Sequence, residues 1–496
     1  MSPLGRRHFR RVRLVAAIAG VWSAALAPAA AQEVGRDAAL RLRFAPLEFH
    51  PPEPELHVLA SGVRVLYLQD SSLPLVDVFA RFRGGFSHFP REYYAAASAV
   101  SSLIRSGGTR ALTSDSLDAL LERYAVSTTV GGGGESSFAS LNTLTRNLDV
   151  ALDLFGAMLR TPRFDSAMVE VWRGQELESV RRRGDEPGRL AYSEFNRLMF
   201  GDHPIGWEMD GNDLEPRDLT RAQIEWVHQR VFCPENLVLG VTGDVTWAEL
   251  VPRLEHFVGG WPACPERLAR LPVPKIRTEP GIVLIPRPLE QSTVVMAHIA
   301  DLRMGDTEAF YASRIGSSIL GSGGLSSRLM TRVRSEKGYA YSASSLWTAP
   351  RSYDGLVGAV TQTKAESTVA TIRLILSTME EMTQKPPTDA ELSRTIDEFA
   401  NGFVFNFESP AQIVARRMSY LADGLPDDWL QRYLAGIQKV SAEDVREVFA
   451  QHLHPDRMVI LVLGDPARLD EPLERLGPLT VLDVPDEPTE APSPGR

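Results

Sequence analysis

The stretch "RSEKGYAY" at residues 334–341 holds two side chains that could take part in catalysis. Arg334 precedes Tyr341 by seven residues, with Gly338 between them. A guanidinium and a phenolic hydroxyl both donate hydrogen bonds, so the pair could bind a substrate carbonyl and stabilise negative charge developing on its oxygen. Taken singly, each residue has a structural interpretation, an arginine in an ion pair and a strand tyrosine packed in a core. The pair alone performs no reaction, so the reacting group has to be found elsewhere.

A repeated unit provides the elements that would position these side chains. Residues 219–245 align without a gap with residues 440–466, at an offset of 221 residues. Each segment opens with a capping-box pattern, at Thr220 and at Ser441, and continues as an amphipathic helix. Each then breaks at a proline and enters an apolar strand, "NLVLGVTGD" or "RMVILVLGD". The matching order and spacing predict a duplicated unit.

The order of patterns within each unit predicts the fold class. Strand patterns come first, such as "GVRVLYLQD" in the first unit and "GIVLIPRP" in the second. Helical patterns fill the middle, at residues 145–160 and 366–382. A strand closes each unit. We therefore expect an α+β protein of two homologous domains, each a mainly antiparallel sheet packed by helices.

The predicted organisation divides the chain into five segments. They are a signal peptide (1–31), a first domain (50–262), a Pro-rich linker (263–280), a second domain (281–480) and a disordered tail (485–496).

The N-terminus is typical of a secretory signal peptide. A basic segment precedes 14 apolar residues, too few to span a bilayer, and a small-residue site ends at Ala31. The mature chain would begin at Gln32 and be exported, to the periplasm in a Gram-negative source. Arg6 and Arg7 resemble a twin-arginine signal, and an uncleaved anchor is the alternative.

Charge and cysteine content exclude some kinds of partner and site. A net charge of −10 argues against nucleic acid, because phosphate binding needs a basic face. The two cysteines, Cys233 and Cys264, have no CxxC spacing that would indicate a zinc site. Export would permit a disulfide between them. We expect two buried thiols instead, because so large a fold needs no covalent link.

The run "LGSGGLSSRLMTRVRSEKGYAYSAS" at 320–344, with the duplicated unit, resembles the insulinase/pitrilysin family of zinc metalloproteases. The resemblance is strongest to short two-domain processing peptidases and covers roughly residues 50–480. It implies two such cores paired around a chamber that binds peptide. The family's non-zinc half supplies an arginine and a tyrosine to the substrate, which fall on Arg334 and Tyr341. Tyr339 is a second candidate for the tyrosine.

The glycines of "LGSGGLSS" resemble the glycine-rich loop of the non-zinc processing-peptidase subunit. They are Gly321, Gly323 and Gly324. Glycine lets a backbone approach a peptide closely, so the resemblance implies substrate binding at this loop. A flexible connector to the following helix is the alternative.

The family's zinc motif, H-x-x-E-H on a first-domain helix, is missing. Two histidines four residues apart ligate zinc, and the glutamate acts as general base. When "EYYAAASAVSSLIRSGGT" is aligned on Thr109, the histidine positions fall on Ala99 and Leu103 and the glutamate position on Ser102. The resemblance therefore implies no metal in this chain and zinc in a partner subunit.

The remaining ligand candidates do not replace the motif. Glu178 lies near the family's distal glutamate position, but one carboxylate does not hold zinc. His88 precedes the degenerate helix, and a loop histidine is the simpler interpretation. His452 and His454 lie beside Pro455, where we expect a surface turn.

Together these features predict an exported, non-catalytic subunit that binds peptide and donates Arg334 and Tyr341 to a zinc-bearing partner of the same fold. A purely structural or peptide-binding protein, like respiratory-complex core subunits, is one alternative. An active metalloprotease with an atypical metal site is the other.

Overall fold

The computed structural model describes residues 51–217 and 219–484. The predicted signal peptide (1–31) and tail (485–496) lie outside the described residues. No helix in the described part of the chain combines the length and apolar character that crossing a membrane requires. We call residues 51–262 the first half and residues 281–484 the second half.

The first half contains a six-stranded sheet in the order β1-β2-β6-β3-β5-β4. Only β2 and β6 run parallel, and the other neighbours are antiparallel. The central strand, β6, is buried along its whole length, as its apolar sequence requires. The strands are β1 (Glu55–Val58), β2 (Arg64–Gln69), β3 (Leu75–Arg83), β4 (Ser127–Gly132), β5 (Ser136–Leu144) and β6 (Leu237–Gly243).

The second half repeats this strand order as β12-β7-β11-β8-β10-β9, except that its outer strand β12 runs parallel to β7 whereas β1 runs antiparallel to β2. β11 ends the second repeated segment and lies between β7 and β8, as β6 lies between β2 and β3. The predicted equivalence of these two strands is confirmed. The strands are β7 (Gly281–Pro286), β8 (Gln291–Ile299), β9 (Ala340–Trp347), β10 (Leu356–Lys364), β11 (Val459–Gly464) and β12 (Leu479–Val481).

Helices pack on both sheets, and several begin at the caps that the sequence predicts. Thr220 and Ser441 each accept a hydrogen bond from the backbone three residues on, and both capping boxes are complete. The helices of the first half are α1 (Tyr94–Ser106), α2 (Ser114–Arg123), α3 (Leu148–Arg160), α4 (Ser166–Arg181), α5 (Pro187–Phe200), α6 (Arg221–Val231) and α7 (Trp247–Val258). Those of the second half are α8 (Glu308–Ser317), α9 (Thr368–Gln384), α10 (Asp389–Val404), α11 (Pro410–Ala422), α12 (Trp429–Lys439) and α13 (Ala442–His452).

Each half places one helix on the sheet of the other. α5 of the first half packs Leu190 and Phe195 in a buried cluster with Val295 and Leu461 of the second sheet. α11 of the second half packs Val414 and Met418 in a cluster with β2 and β6 of the first sheet. The exchange follows the duplication, because adding the 221-residue offset to 187–200 gives 408–421, and α11 is Pro410–Ala422. Burial of these side chains fixes the two halves together.

The predicted fold class, an α+β protein of two homologous domains with mainly antiparallel sheets, is confirmed. The exact limits of the predicted domains and linker remain predictions.

Cys233 and Cys264 form a disulfide, so the expectation of two buried thiols is wrong. After α7 the chain returns to the start of β6, which brings the two Cα atoms within 5.2 Å. Two hydrogen bonds hold the segment there. The Trp261 indole donates to the Phe232 carbonyl (2.9 Å), and the Cys264 amide donates to the Glu235 carboxylate (2.9 Å).

Candidate functional site

The segment that carries Arg334 is a π-helical stretch, Met330–Glu336, which ends in a tight turn before β9. The amide of Gly338 donates to the Arg334 carbonyl at 3.1 Å. Gly338 has φ +64°, a left-handed conformation that favours glycine. This turn reverses the chain and brings β9 back alongside the helix.

Tyr341 is the extra residue of a β-bulge at the edge of the second sheet. Ser342 pairs with Gln362 and Ala340 with Thr363, so Tyr341 has no partner on β10. A bulge turns a side chain away from its regular direction. Here the ring is 76% exposed, and the Arg334 Cζ atom lies 4.8 Å from its centroid. This cation–π contact holds the two side chains together.

The pair keeps its hydrogen-bond donors available. Within residues 51–217 and 219–484, neither the Arg334 guanidinium nor the Tyr341 hydroxyl makes a hydrogen bond or ion pair. Tyr339, the other candidate, packs against the second core, and its carbonyl accepts bonds from Thr363 and Lys364. The geometry therefore pairs Arg334 with Tyr341.

The glycine-rich loop lies against the strand that carries Tyr341. A Cβ atom at Gly321 would come 2.1 Å from the Ser345 amide of β9, and one at Gly323 would come 2.6 Å from the Ser318 carbonyl. Gly324 has φ +70° and open space around it. Close packing and a turn thus account for these three glycines, and any contact with peptide would be additional to that role.

An ion pair that the sequence analysis missed fixes the end of this loop. Arg328 donates two hydrogen bonds to Glu391, at 2.8 and 2.9 Å, and both side chains are largely buried. The arginine and the Thr388 cap lower the pKa of the Glu391 carboxyl to about 2. Because the partners are 63 residues apart, no local pattern in the sequence could reveal the pair.

The positions predicted for the lost metal ligands lie on α1, where two of them belong to the core of the first half. Ala99 and Leu103 are fully buried, whereas Ser102 is exposed. Glu178, on α4, is exposed and pairs with Arg182 at 2.5 Å. The one set of three clustered ligand residues in the described chain is Cys233, Glu235 and Cys264, and its sulfurs are joined in the disulfide.

The rings of His88, His298 and His452 hydrogen-bond to backbone groups. His88 donates to the Ala269 carbonyl at 3.1 Å, and burial lowers the pKa of its ring. His452 is buried and donates to the Ala300 carbonyl at 2.8 Å, so the expected surface turn is wrong at this residue. The amide of His454 donates to Nε2 of His298 at 2.8 Å. α13 packs against α8 and α9, which brings His452 at its C-terminal end into the interior.

Comparison with known proteins relates the sequence and the fold of this chain to one family. Residues 218–399 match the sequence profile described as the peptidase M16 inactive domain. An uncharacterised zinc protease of Mycobacterium bovis is 28% identical, over 65% of this chain and 73% of its own. A crystal structure of the peptidase M16 inactive domain from Pseudomonas fluorescens has a TM-score of 0.75 and 25% identity, and the match covers 83% of this chain and 98% of that one.

The chain thus resembles peptidases of the M16 family along most of its length. The predicted insulinase/pitrilysin resemblance is therefore confirmed. Another M16 relative, the non-peptidase homologue YmxG of Helicobacter pylori, is 22% identical over 81% of this chain and 92% of its own. The match to the inactive domain and the name of this relative support an inactive homologue of the family, while the placement of the lost zinc motif at Ala99, Ser102 and Leu103 remains a prediction.

Proposed function

We propose that this M16 homologue is the non-catalytic subunit of a heterodimeric peptidase. It binds peptide and donates Arg334 and Tyr341 to the active site of a zinc-bearing M16 partner. One observation carries the proposal: the two side chains are held together by a 4.8 Å cation–π contact, with their donors facing open space. Because no group in the described residues takes up these donors, they are available to a substrate carbonyl.

The chemistry of the pair fits amide hydrolysis. Zinc in the partner would supply the activated water. The Tyr341 hydroxyl and the Arg334 guanidinium would donate hydrogen bonds to the peptide carbonyl oxygen and bind it more tightly as it becomes an oxyanion. The cation–π contact orders both donors before substrate arrives, which lowers the entropy lost on binding.

Two further features belong to the proposal. The loop containing Gly321, Gly323 and Gly324 would line the peptide-binding surface, because it packs on the strand that carries Tyr341. The chain would be exported by its N-terminal signal peptide and would meet its partner in the periplasm. The disulfide between Cys233 and Cys264 is compatible with such an oxidising compartment.

Reconstitution with an exported M16 homologue that carries an intact H-x-x-E-H motif tests the proposal. The purified chain alone should not cleave a library of unstructured peptides. The mixture should cleave them much faster than the zinc-bearing chain alone, and the two chains should elute as one complex. Cleavage by this chain alone, or a complex without any gain in activity, would contradict the proposed role.

A structural, peptide-binding role without catalysis is the second candidate. It is favoured by the glycine-rich loop, where close packing already accounts for Gly321 and Gly323. Under this role, removing the donors of Arg334 and Tyr341 would leave the activity of a reconstituted complex unchanged.

A further inference from the structure

A cavity of about 600 Å³ lies in the second half among α8, α10, α11 and α12. Six aromatic side chains line it, together with five polar or charged residues. They are Phe310, Phe399, Phe403, Tyr420, Trp429 and Tyr433. Its volume falls within the range of small-molecule sites, which are mostly apolar with a few placed polar groups.

The aromatic wall is already assembled. The Phe403 and Tyr433 rings stack at 6.3 Å with 24° between their planes, and Phe310 lies 6.3 Å from Trp429. Phe310, Phe403 and Trp429 are buried. Burial also raises the pKa of the Tyr433 hydroxyl. A ligand would therefore meet a preformed surface and would lose little free energy in ordering it.

Two half-buried guanidiniums face this aromatic wall without an acidic partner. Arg416 donates to the amide oxygen of Asn406 at 2.5 Å, and Arg314 lies beside the Tyr433 hydroxyl. Within the described chain, neither arginine forms an ion pair with a carboxylate. The one acid that lines the cavity, Glu398, is exposed and lies 3.9 Å from Arg394.

This arrangement has unmatched positive charge. A guanidinium taken partly out of water is stabilised most by an anion that it can hold with paired hydrogen bonds. Neutral partners such as Asn406 and Tyr433 accept hydrogen bonds but do not balance the positive charge. The surrounding rings favour an apolar body on the same molecule, since they would bury it from water.

We propose that this cavity binds apolar carboxylates, with the carboxylate at Arg314 and Arg416 and an aromatic or branched aliphatic group among the rings. Two sources share this chemistry: a free small acid, and the C-terminus of a peptide that ends in an apolar residue. The site does not depend on the role proposed for Arg334 and Tyr341.

Calorimetric titration of the full chain with matched probes tests the chemistry. 3-Phenylpropionate should bind, and its uncharged analogue 3-phenylpropanol should bind about tenfold more weakly or worse, because a charge-assisted hydrogen bond is lost. The tripeptide Ala-Ala-Phe and its C-terminal amide distinguish the two sources. Preference for the free-acid tripeptide over 3-phenylpropionate assigns the site to peptide ends, and the opposite preference assigns it to small acids.

Variants on α11 locate the binding. Arg416→Gln should weaken 3-phenylpropionate about tenfold. Arg417→Gln is the matched control, because the neighbouring guanidinium bonds to Asp427 and does not line the cavity. Asn406→Asp places a carboxylate beside Arg416 and should abolish binding of the acid while the fold is kept. Equal binding of the acid and the alcohol, or equal losses in Arg416→Gln and Arg417→Gln, would overturn the proposal.

Discussion

Gly240 of β6 lies directly beneath Met418 of α11, so that a Cβ atom at Gly240 would come 2.3 Å from the Met418 sulfur. The contact joins the sheet of the first half to a helix of the second. Glycine is needed here because the helix packs closely against the strand, and any side chain would push the helix outward.

Gly240→Ala should therefore destabilise the protein, by about 1 to 3 kcal/mol, the usual effect of overpacking a core. Denaturant unfolding measures the change. Gly174→Ala is the matched control, because that helical glycine has no atom within 4 Å of its added Cβ. The control should be neutral or stabilising, since alanine favours helix. Equal stability in the two variants would mean that α11 does not pack on β6 as described.

Reduction of the disulfide should lower the free energy of unfolding. Cys233 and Cys264 are 31 residues apart, and closing a loop of that length in the unfolded chain is worth roughly 3 to 4 kcal/mol. Thermal unfolding with and without dithiothreitol measures the effect. The double variant Cys233→Ser/Cys264→Ser should unfold at the same temperature as the reduced protein, and dithiothreitol should not change that temperature. Free thiols in the unreduced, denatured chain would contradict the bridge.

Two buried histidines should make stability depend on pH. His228 donates to the Leu159 carbonyl at 2.8 Å, and His298 accepts from the His454 amide. Burial lowers the pKa of each ring to about 4. Between pH 4 and 6.5 the unfolded chain binds protons at these sites and the folded chain does not. Stability is therefore full above about pH 6.5 and falls as the pH drops towards 4, by roughly 3 kcal/mol for each histidine.

Urea unfolding from pH 7.5 down to pH 4.5 checks this dependence. His228→Gln keeps an N–H donor for the Leu159 carbonyl but does not titrate, so it should remove about half of the pH effect. Comparison with the parent protein separates the histidines from carboxyl groups that titrate in the same range. A His228→Gln variant with the full dependence would contradict the assignment to His228.

Tyr341→Phe removes one hydroxyl from an exposed ring. In the reconstituted peptidase it should lower turnover about 100-fold, the effect of losing one donor to an oxyanion. Arg334→Ala should lower turnover as well, with the complex still forming on a sizing column. Neither change should shift the melting temperature much, because the Tyr341 ring is 76% exposed.

Tyr339→Phe is the matched control for this experiment. Tyr339 lies two residues earlier in the same segment but packs against the second core, so its hydroxyl should not affect turnover. A large loss in Tyr339→Phe with none in Tyr341→Phe would transfer the role to Tyr339. Full activity in all three variants would favour the structural candidate.

The purified chain should hold no stoichiometric zinc. Ala99 and Leu103 offer no ligand atom and are fully buried, and Ser102 is a poor ligand by itself. Elemental analysis after dialysis measures the content. It should be done without reductant, because reduced Cys233 and Cys264 beside Glu235 could bind zinc. One tightly held zinc per chain would contradict the prediction.

The parts of the fold that local sequence controls could be predicted. The caps at Thr220 and Ser441 and the apolar strands β6 and β11 are set by residues within a few positions of one another. Such patterns repeat wherever the unit repeats, so the duplication and the α+β class follow from them. The absence of an H-x-x-E-H motif is likewise a matter of residue identity, and its predicted place is at Ala99, Ser102 and Leu103.

The tertiary structure decided what depends on distant contacts. The disulfide required the chain after α7 to return to β6, and Cys233 and Cys264 contain no local sign of that path. The burial of His452 depends on the Ala300 carbonyl, 152 residues away. The sequence placed Arg334 and Tyr341 seven residues apart, but the bulge at Tyr341 arises from pairing with β10 and sets the ring beside the guanidinium. Short-range propensities specify elements, whereas packing between elements specifies which side chains meet.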